Sequence, residues 1–338
     1  MTSIKDDSAM RASDALDPIN RVPCEDKRFP HPKQGENVMD TPVDQPIVHR
    51  FTASASQLRD AQLTHDAEAF RSSVSRAQLF GEANRRRWRG LAGLYKQLES
   101  DSRVVSALKE SSAAYRALVE PNEMSVFKKP GDFPLHWFWT LDPGMNVFGP
   151  PFDAQIEGPT AGPKAEAAAN RHKGELTVTI AHDRNAEGNR AAEACLRLVI
   201  DSSAPANVFL KPFVQYDAES LVTGQWLSAY SRGAVYLSVA HLLDGANAMR
   251  NEAVLWEHES ETLDLVTPSG FLSPSALEVG THIEPGNPVI VSLGVRISGH
   301  QSGDEVDIPL LMSFDSWSYF RARLWAKVVY LAAQVNVL

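Results

Sequence analysis

From Gly174 onward, apolar residues recur at every second position in one segment after another. Val289, Val291, Leu293, Val295 and Ile297 form the cleanest row, and Phe320, Ala322, Leu324, Ala326, Val328 and Tyr330 the longest. Leu176, Val178 and Ile180 repeat the pattern, as do Leu196, Leu198 and Ile200, and then Val235, Leu237 and Val239. A period of two belongs to a strand with one buried face, because successive side chains point to opposite sides of a pleated backbone. Polar turns separate the rows, and the βαβ rhythm of a parallel sheet is missing. The expected architecture is an antiparallel, jelly-roll-like β-sandwich of roughly eight or nine strands. Pro212 breaks the row of Val208, Leu210 and Val214, which marks an edge strand or a bulge there.

Ahead of these strands the period changes. Ser54 and Gln57 have capping-box spacing, so a helix is expected to start there. Leu63, Ala67, Phe70, Val74, Ala77, Gly81, Asn84, Trp88, Leu91, Tyr95 and Leu98 then step by fours and threes, a heptad-like seam. Gly81 and Asn84 interrupt it and mark a bend or a close neighbour. Asp101 or Ser102 caps a second helix that turns Val104, Val105, Leu108, Tyr115, Leu118 and Val119 inward and stops at Pro121. A short turn between helices favours antiparallel neighbours, so 51–121 reads as a helical hairpin. Its seam packs on the β-domain or on another copy of the chain. Arg85, Arg86, Arg87 and Arg89 surround Trp88, but consecutive helical residues point about 100° apart. They read as a solvated collar, not as a nucleic-acid face.

The fold class is thus α+β in three parts. Residues 1–50 are polar and proline-rich and read as a disordered arm. Residues 51–121 form the hairpin, and 122–338 the β-sandwich domain. That domain includes an aromatic strand over 133–141, where Phe133, Leu135, Trp137, Trp139 and Leu141 alternate with Pro134, His136, Phe138 and Thr140. Asp142, Pro143 and Gly144 end it in a type II turn. Residues 157–173, rich in Gly, Pro and Ala, read as a loop.

The 338 residues carry a formal net charge of −9, which argues against nucleic acid as the main partner. No run reaches the length of a membrane-spanning helix. The two cysteines, Cys24 and Cys195, suggest no disulfide framework, and no apolar leader opens the chain. A cytoplasmic protein is expected, with signal-less export left open. No phosphate-binding loop, nucleophile elbow or zinc signature is present, and no cofactor is expected.

The remaining candidates are scattered. His282 and Glu284, two apart on a strand, would share a side and could hold a metal. With Gly280 ahead of them they resemble part of a cupin metal motif, without its opening His-x-His. Glu257 and Glu259 share a face, as Trp256 and His258 do, which could serve acid/base chemistry or line a wet face. Ser302, Asp304, Glu305 and Asp307 make a small acidic loop suited to calcium or to solvent. Trp226, Tyr230, Trp317, Tyr319 and Trp325 lie near polar residues, and aromatic faces in a sandwich can stack on sugars. The reading that follows is a non-catalytic binding or assembly protein whose sandwich recognises a glycan or protein surface, with homo-oligomer formation through the helical seam. A metal-assisted enzyme and a purely structural subunit are the alternatives.

Overall fold

A computed structural model describes residues 47–60, 64–98, 100–123, 145–182, 188–225, 227–242, 249–260, 264–302 and 317–338. Residues 1–46 of the proposed arm and the 133–141 strand lie outside these residues, as do Trp226 and the acidic loop beyond Ser302. The end of the expected arm, Val48–Arg50, is not disordered but a strand paired with residues 200–202.

The described chain is mostly antiparallel sheet with a few helices. In order, it runs through β1 (Val48–Arg50), α1 (Ala55–Asp60), α2 (Thr64–Leu98), α3 (Ser102–Glu123), β2 (Asn146–Phe148) and β3 (Ala154–Ala161). It continues through β4 (Ala165–Asn170), β5 (Glu175–Ala181), β6 (Gly188–Ser202), β7 (Ala206–Gln225), β8 (Ala229–His241) and β9 (Met249–Ser260). The remaining strands are β10 (Asp264–Val266), β11 (Ser269–Phe271), β12 (Val279–Ile283), β13 (Val289–Gln301) and β14 (Trp317–Val337). One sheet has the order β1-β6-β13-β8-β9, with β3 also on β6. The other has the order β10-β7-β14-β5-β4, with β11 and β12 also on β7 and β2 on β14.

The alternating rows become the shared core of the two sheets. Leu196, Leu198 and Ile200 of β6, Val289 through Ile297 at every second position of β13, and Val235, Leu237 and Val239 of β8 come from the first sheet. Val178 and Ile180 of β5, Val208, Leu210 and Val214 of β7, and Phe320, Ala322, Leu324, Ala326 and Val328 of β14 come from the second. Burying each such aliphatic side chain contributes about 1.5–3 kcal/mol before the entropy of ordering is subtracted.

The opposite face of β13 departs from the expected wet face. Ile290, Ser292, Gly294, Arg296, Ser298 and His300 are all buried, because α2 lies across β6, β13 and β8. At about 1.5 Å per residue α2 is about 52 Å long. Its buried stripe is Asp66, Phe70, Ser73, Ala77, Gly81 and Asn84. The expected seam residues Phe70, Ala77, Gly81 and Asn84 are on that stripe, but Ala67 is exposed and Val74 only half-buried. Polar Asp66 and Ser73 take their places because the sheet beneath is itself polar.

The helix ends follow their caps. Ser54 N–H donates to Gln57 Oε1 at 3.0 Å, and Gln57 N–H donates back to Ser54 Oγ at 3.2 Å. This reciprocal pair opens α1, and residues 61–63, which lie between α1 and α2 in the long helix expected from Ser54, are outside the described residues. Asp101 Oδ1 accepts from Arg103 N–H at 3.0 Å and caps α3. That helix runs two residues past Pro121, since proline removes only its own donor and residues beyond it can still bond upstream.

Two further readings change. Residues 157–173 contribute to β3 and β4, and are not a loop. Gly158 has φ +136, and the register of β3 on β6 slips between Glu157 and Thr160. The strand tolerates these residues because it sits at the margin of the sheet. Pro212 is on central β7, not on an edge strand. Its missing donor falls in the gap between β12, which pairs as far as Leu210, and β11, which pairs from Gln215. The register of β14 against this part of β7 shifts between Val328 and Tyr330, a bulge of the expected kind.

Candidate functional site: a charged layer beneath a helix

Sequence alternation brings one set of polar side chains to the outer face of the first sheet, and α2 encloses them. Arg296 Nε donates to Glu193 Oε2 at 2.6 Å, and the Tyr236 hydroxyl donates to Glu193 Oε1 at 2.8 Å. Arg250 Nη1 donates to Asp66 Oδ1 at 2.7 Å, and Ser238 Oγ to Asp66 Oδ2 at 3.0 Å. Arg232 bonds Glu252 through Nη2 and Glu257 through Nε, the latter at 3.3 Å. Tyr230 OH donates to Glu257 Oε1 at 2.9 Å, and Arg76 on α2 reaches the same oxygen at 3.3 Å. Asp66 and Arg76 thus tie the helix to the sheet by charge-assisted bonds.

Geometry sets the protonation of these groups. Burial pushes the Glu193 carboxyl up against the pull of Arg296. Burial also works to raise Glu252, but the charges of Arg232, Arg296 and Arg250 outweigh it and hold Glu252 below the usual carboxylate range. Arg250 stacks its guanidinium 3.7 Å from the centre of the Tyr236 ring. Gly294 makes room for that ring, since a Cβ there would meet the Tyr236 hydroxyl at 2.4 Å.

Glu68, Ala69, Ser72, Ser73 and Arg76 of α2 face Arg232, Arg250, Glu252 and Arg296 across a cavity of about 390 Å³. Glu68, Ser72 and Arg76 are spaced one helical turn apart along its exposed rim.

The five expected aromatic contacts separate. Tyr230 is buried in the layer just described, and its ring stacks on Phe80 of α2 at 5.2 Å. Tyr319 is buried and Trp325 half-buried on β14 of the other sheet. Two ion pairs accompany them on β7 and β14: Arg321 with Glu219 at 2.9 Å and Arg323 with Asp217 at 3.2 Å. Trp317 opens β14 opposite Gln225 in the backbone register, and Trp226 lies outside the described residues. His282 and Glu284 come together, with Nε2 of the histidine 2.8 Å from Glu284 Oε1. The other ring nitrogen faces Asn207 Oδ1 at 3.2 Å. Among the described residues, no group of three or more His, Cys, Asp or Glu side chains is arranged to hold a metal.

A constellation missed in the sequence joins the two sheets at their edge. His258 Nε2 is 2.9 Å from Ser220 Oγ, and its Nδ1 is 2.8 Å from Asp264 Oδ2. The spacing is that of a serine-hydrolase triad. Its chemistry differs, because Ser220 is fully buried and its hydroxyl donates to Ser231 Oγ at 2.8 Å. Ser231 also accepts from Trp256 Nε1 at 3.0 Å. The serine proton is thus directed away from the imidazole that would have to take it. Only strand register could have revealed this cluster, since its members come from β7, β8, β9 and β10.

No protein-family model and no curated protein matches the chain. Among solved structures, a carbohydrate-binding module, TmCBM61, solved with β-1,4-galactotriose, matches at 14% identity and TM-score 0.17, covering 54% of this chain and 88% of its own. A chain of the infectious bursal disease virus Gx strain matches at 9% identity and TM-score 0.16, over 54% of this chain and 46% of its own. A GH31 α-xylosidase from Xanthomonas citri matches at 9% identity and TM-score 0.12, over 57% of this chain and 26% of its own. Likeness at these scores carries no weight for fold or function, and the described site is the firmer ground.

Proposed function

We propose that this chain is a non-catalytic binding or assembly protein, in which a jelly-roll sandwich recognises a glycan or protein surface and the helices mediate association. The strand order supports the jelly-roll reading. Strands β5, β14, β7 and β12 are neighbours in one sheet, and β6, β13, β8 and β9 in the other. Chain order therefore alternates between sheets from β5 to β8 and again from β12 to β14, as two interlocked Greek keys require.

The association reading is carried by one observation. Among the described side chains of α2 the last buried one is Asn84, yet the helix continues to Leu98 and is followed by α3. On that continuation Leu94 is 55% exposed, and Leu91 and Leu98 are only half-buried. Val104, Val105 and Leu108 of α3 are half-buried too. Leu91, Leu94 and Leu98 continue the helical row with part of their surface open, as one half of the expected hairpin would. Light scattering of the full chain at tens of micromolar tests this. An oligomer that Leu94→Glu converts to monomer is the expected result, and a monomeric parent chain would remove the association reading. A glycan array tests the sandwich surface separately, and uniformly blank signal would remove its sugar version.

A further inference from the structure

The geometry points to a binding site for a phosphate-type oxyanion, carried on a small organic molecule, in the cavity between α2 and the first sheet. The volume of about 390 Å³ is in the range of small-molecule sites, roughly 300–1,000 Å³, and larger than a bare phosphate needs. Its wall carries four guanidinium groups, Arg76, Arg232, Arg250 and Arg296, against two carboxylates, Glu68 and Glu252. Asp66, Glu193 and Glu257, the acids behind the wall, already accept two or more hydrogen bonds each, those of Glu257 coming from Tyr230, Arg76 and Arg232.

Donors remain. The Arg250 side chain is only 6% exposed, its Nε has no hydrogen-bond partner, and its Nη2 has only a 3.5 Å ion-pair contact with Glu252. Ser73 Oγ, on the opposite wall, is buried without a partner as well. A buried donor left unmatched costs about 1–3 kcal/mol. Planar guanidinium forks and a hydroxyl are the groups that match phosphate oxygens. The exposed rim of Glu68, Ser72 and Arg76 leaves a way in along the helix. This site is independent of the association and surface-recognition readings, and neither stands or falls with it.

The test is calorimetric titration of the full chain with inorganic phosphate and, separately, glycerol phosphate, at matched ionic strength with chloride as control. Saturable binding is expected, weakened roughly tenfold or more by Arg76→Gln and by Ser73→Ala. Arg76 is about half exposed, so its variant should fold even if Arg232→Gln or Arg250→Gln does not. Tighter binding of glycerol phosphate would identify an organic phosphate as the natural class. Equal binding would assign free phosphate and overturn the organic part of the inference. No binding of either anion, or undiminished binding in both variants, would overturn the site.

Discussion

His300 lies against Gly81 so closely that a Cβ on the glycine would fall 2.3 Å from two atoms of the imidazole ring. The contact joins β13 to the middle of α2. It explains why the seam has a glycine where a larger residue would hold the helix off the sheet. The Nδ1 of His300 is fixed by Asn189 Oδ1 at 2.9 Å, so the ring is held from its other side too.

Gly81→Ala tests this contact by sign. In an exposed helix interior the change would add about 0.5–1 kcal/mol of stability. Here overpacking is expected to cost about 1–3 kcal/mol instead. Urea denaturation of the single variant, and of the same change combined with His300→Ala, measures it. Coupling near zero between the two substitutions would reject the contact.

Burial, and secondarily the charge of Arg85, lower the His300 imidazole from 6.5 to about 4. Between these pH values the unfolded chain binds a proton that the folded chain excludes. Stability is therefore complete above pH 6.5 and falls as pH drops through the window, by roughly 3 kcal/mol in all. Denaturation midpoints at pH 7 and pH 5 should differ less in His300→Gln than in the parent chain. An equal slope in both would assign the acid loss to other groups.

Glu193 and Arg296 are both enclosed, with side chains 5% and 3% exposed. Removing one charge leaves the other buried without its partner. Arg296→Met alone is expected to cost about 3–5 kcal/mol. The pair Glu193→Gln with Arg296→Met is expected to cost clearly less. Thermal melts of the single and double variants decide this, and strict additivity would contradict a paired layer.

A fluorophosphonate probe should leave folded protein unlabelled at Ser220, despite the hydrolase-like spacing to His258 and Asp264. The hydroxyl is fully enclosed and donates to Ser231. Mass spectrometry after incubation reads the outcome directly. A Ser220 adduct that disappears in His258→Gln would mean that the serine is both reachable and activated.

The alternating rows make the core faces legible from the order of the residues alone. Val289 to Ile297 need only a period of two. The other side of the same strand is misleading, because Ser292, Arg296 and His300 look like residues that meet water. Alternation reports which side chains share a face, and it does not say what covers that face. The cover is hard to see for a matching reason: Asp66 and Ser73 belong to the buried stripe of α2, and a search for apolar positions passes over them. Gly81 in the seam signals a bend or a close neighbour without saying which, and Gly233 and Gly294 give no sign at all. Each acquires a reason only beside the ring it admits, His300, Trp256 and Tyr236 respectively. His282 and Glu284 meet as their spacing requires, because two residues on one strand are a local relation. Ser220, His258 and Asp264 give no such sign, because their meeting depends on how two sheets are laid together.

The middle places in the two sheets belong to late strands: β13 is flanked by β6 and β8, and β14 by β7 and β5. On a ribosome, the earlier strands must wait as open edges while the stretch that carries β13 and β14 is made, a matter of seconds at roughly 5–20 residues per second. During that interval their unpaired edges are exposed to any neighbouring nascent chain. Holding those edges apart is a task for chaperones, and slower translation through β13 and β14 would lengthen the hazard without altering the finished molecule.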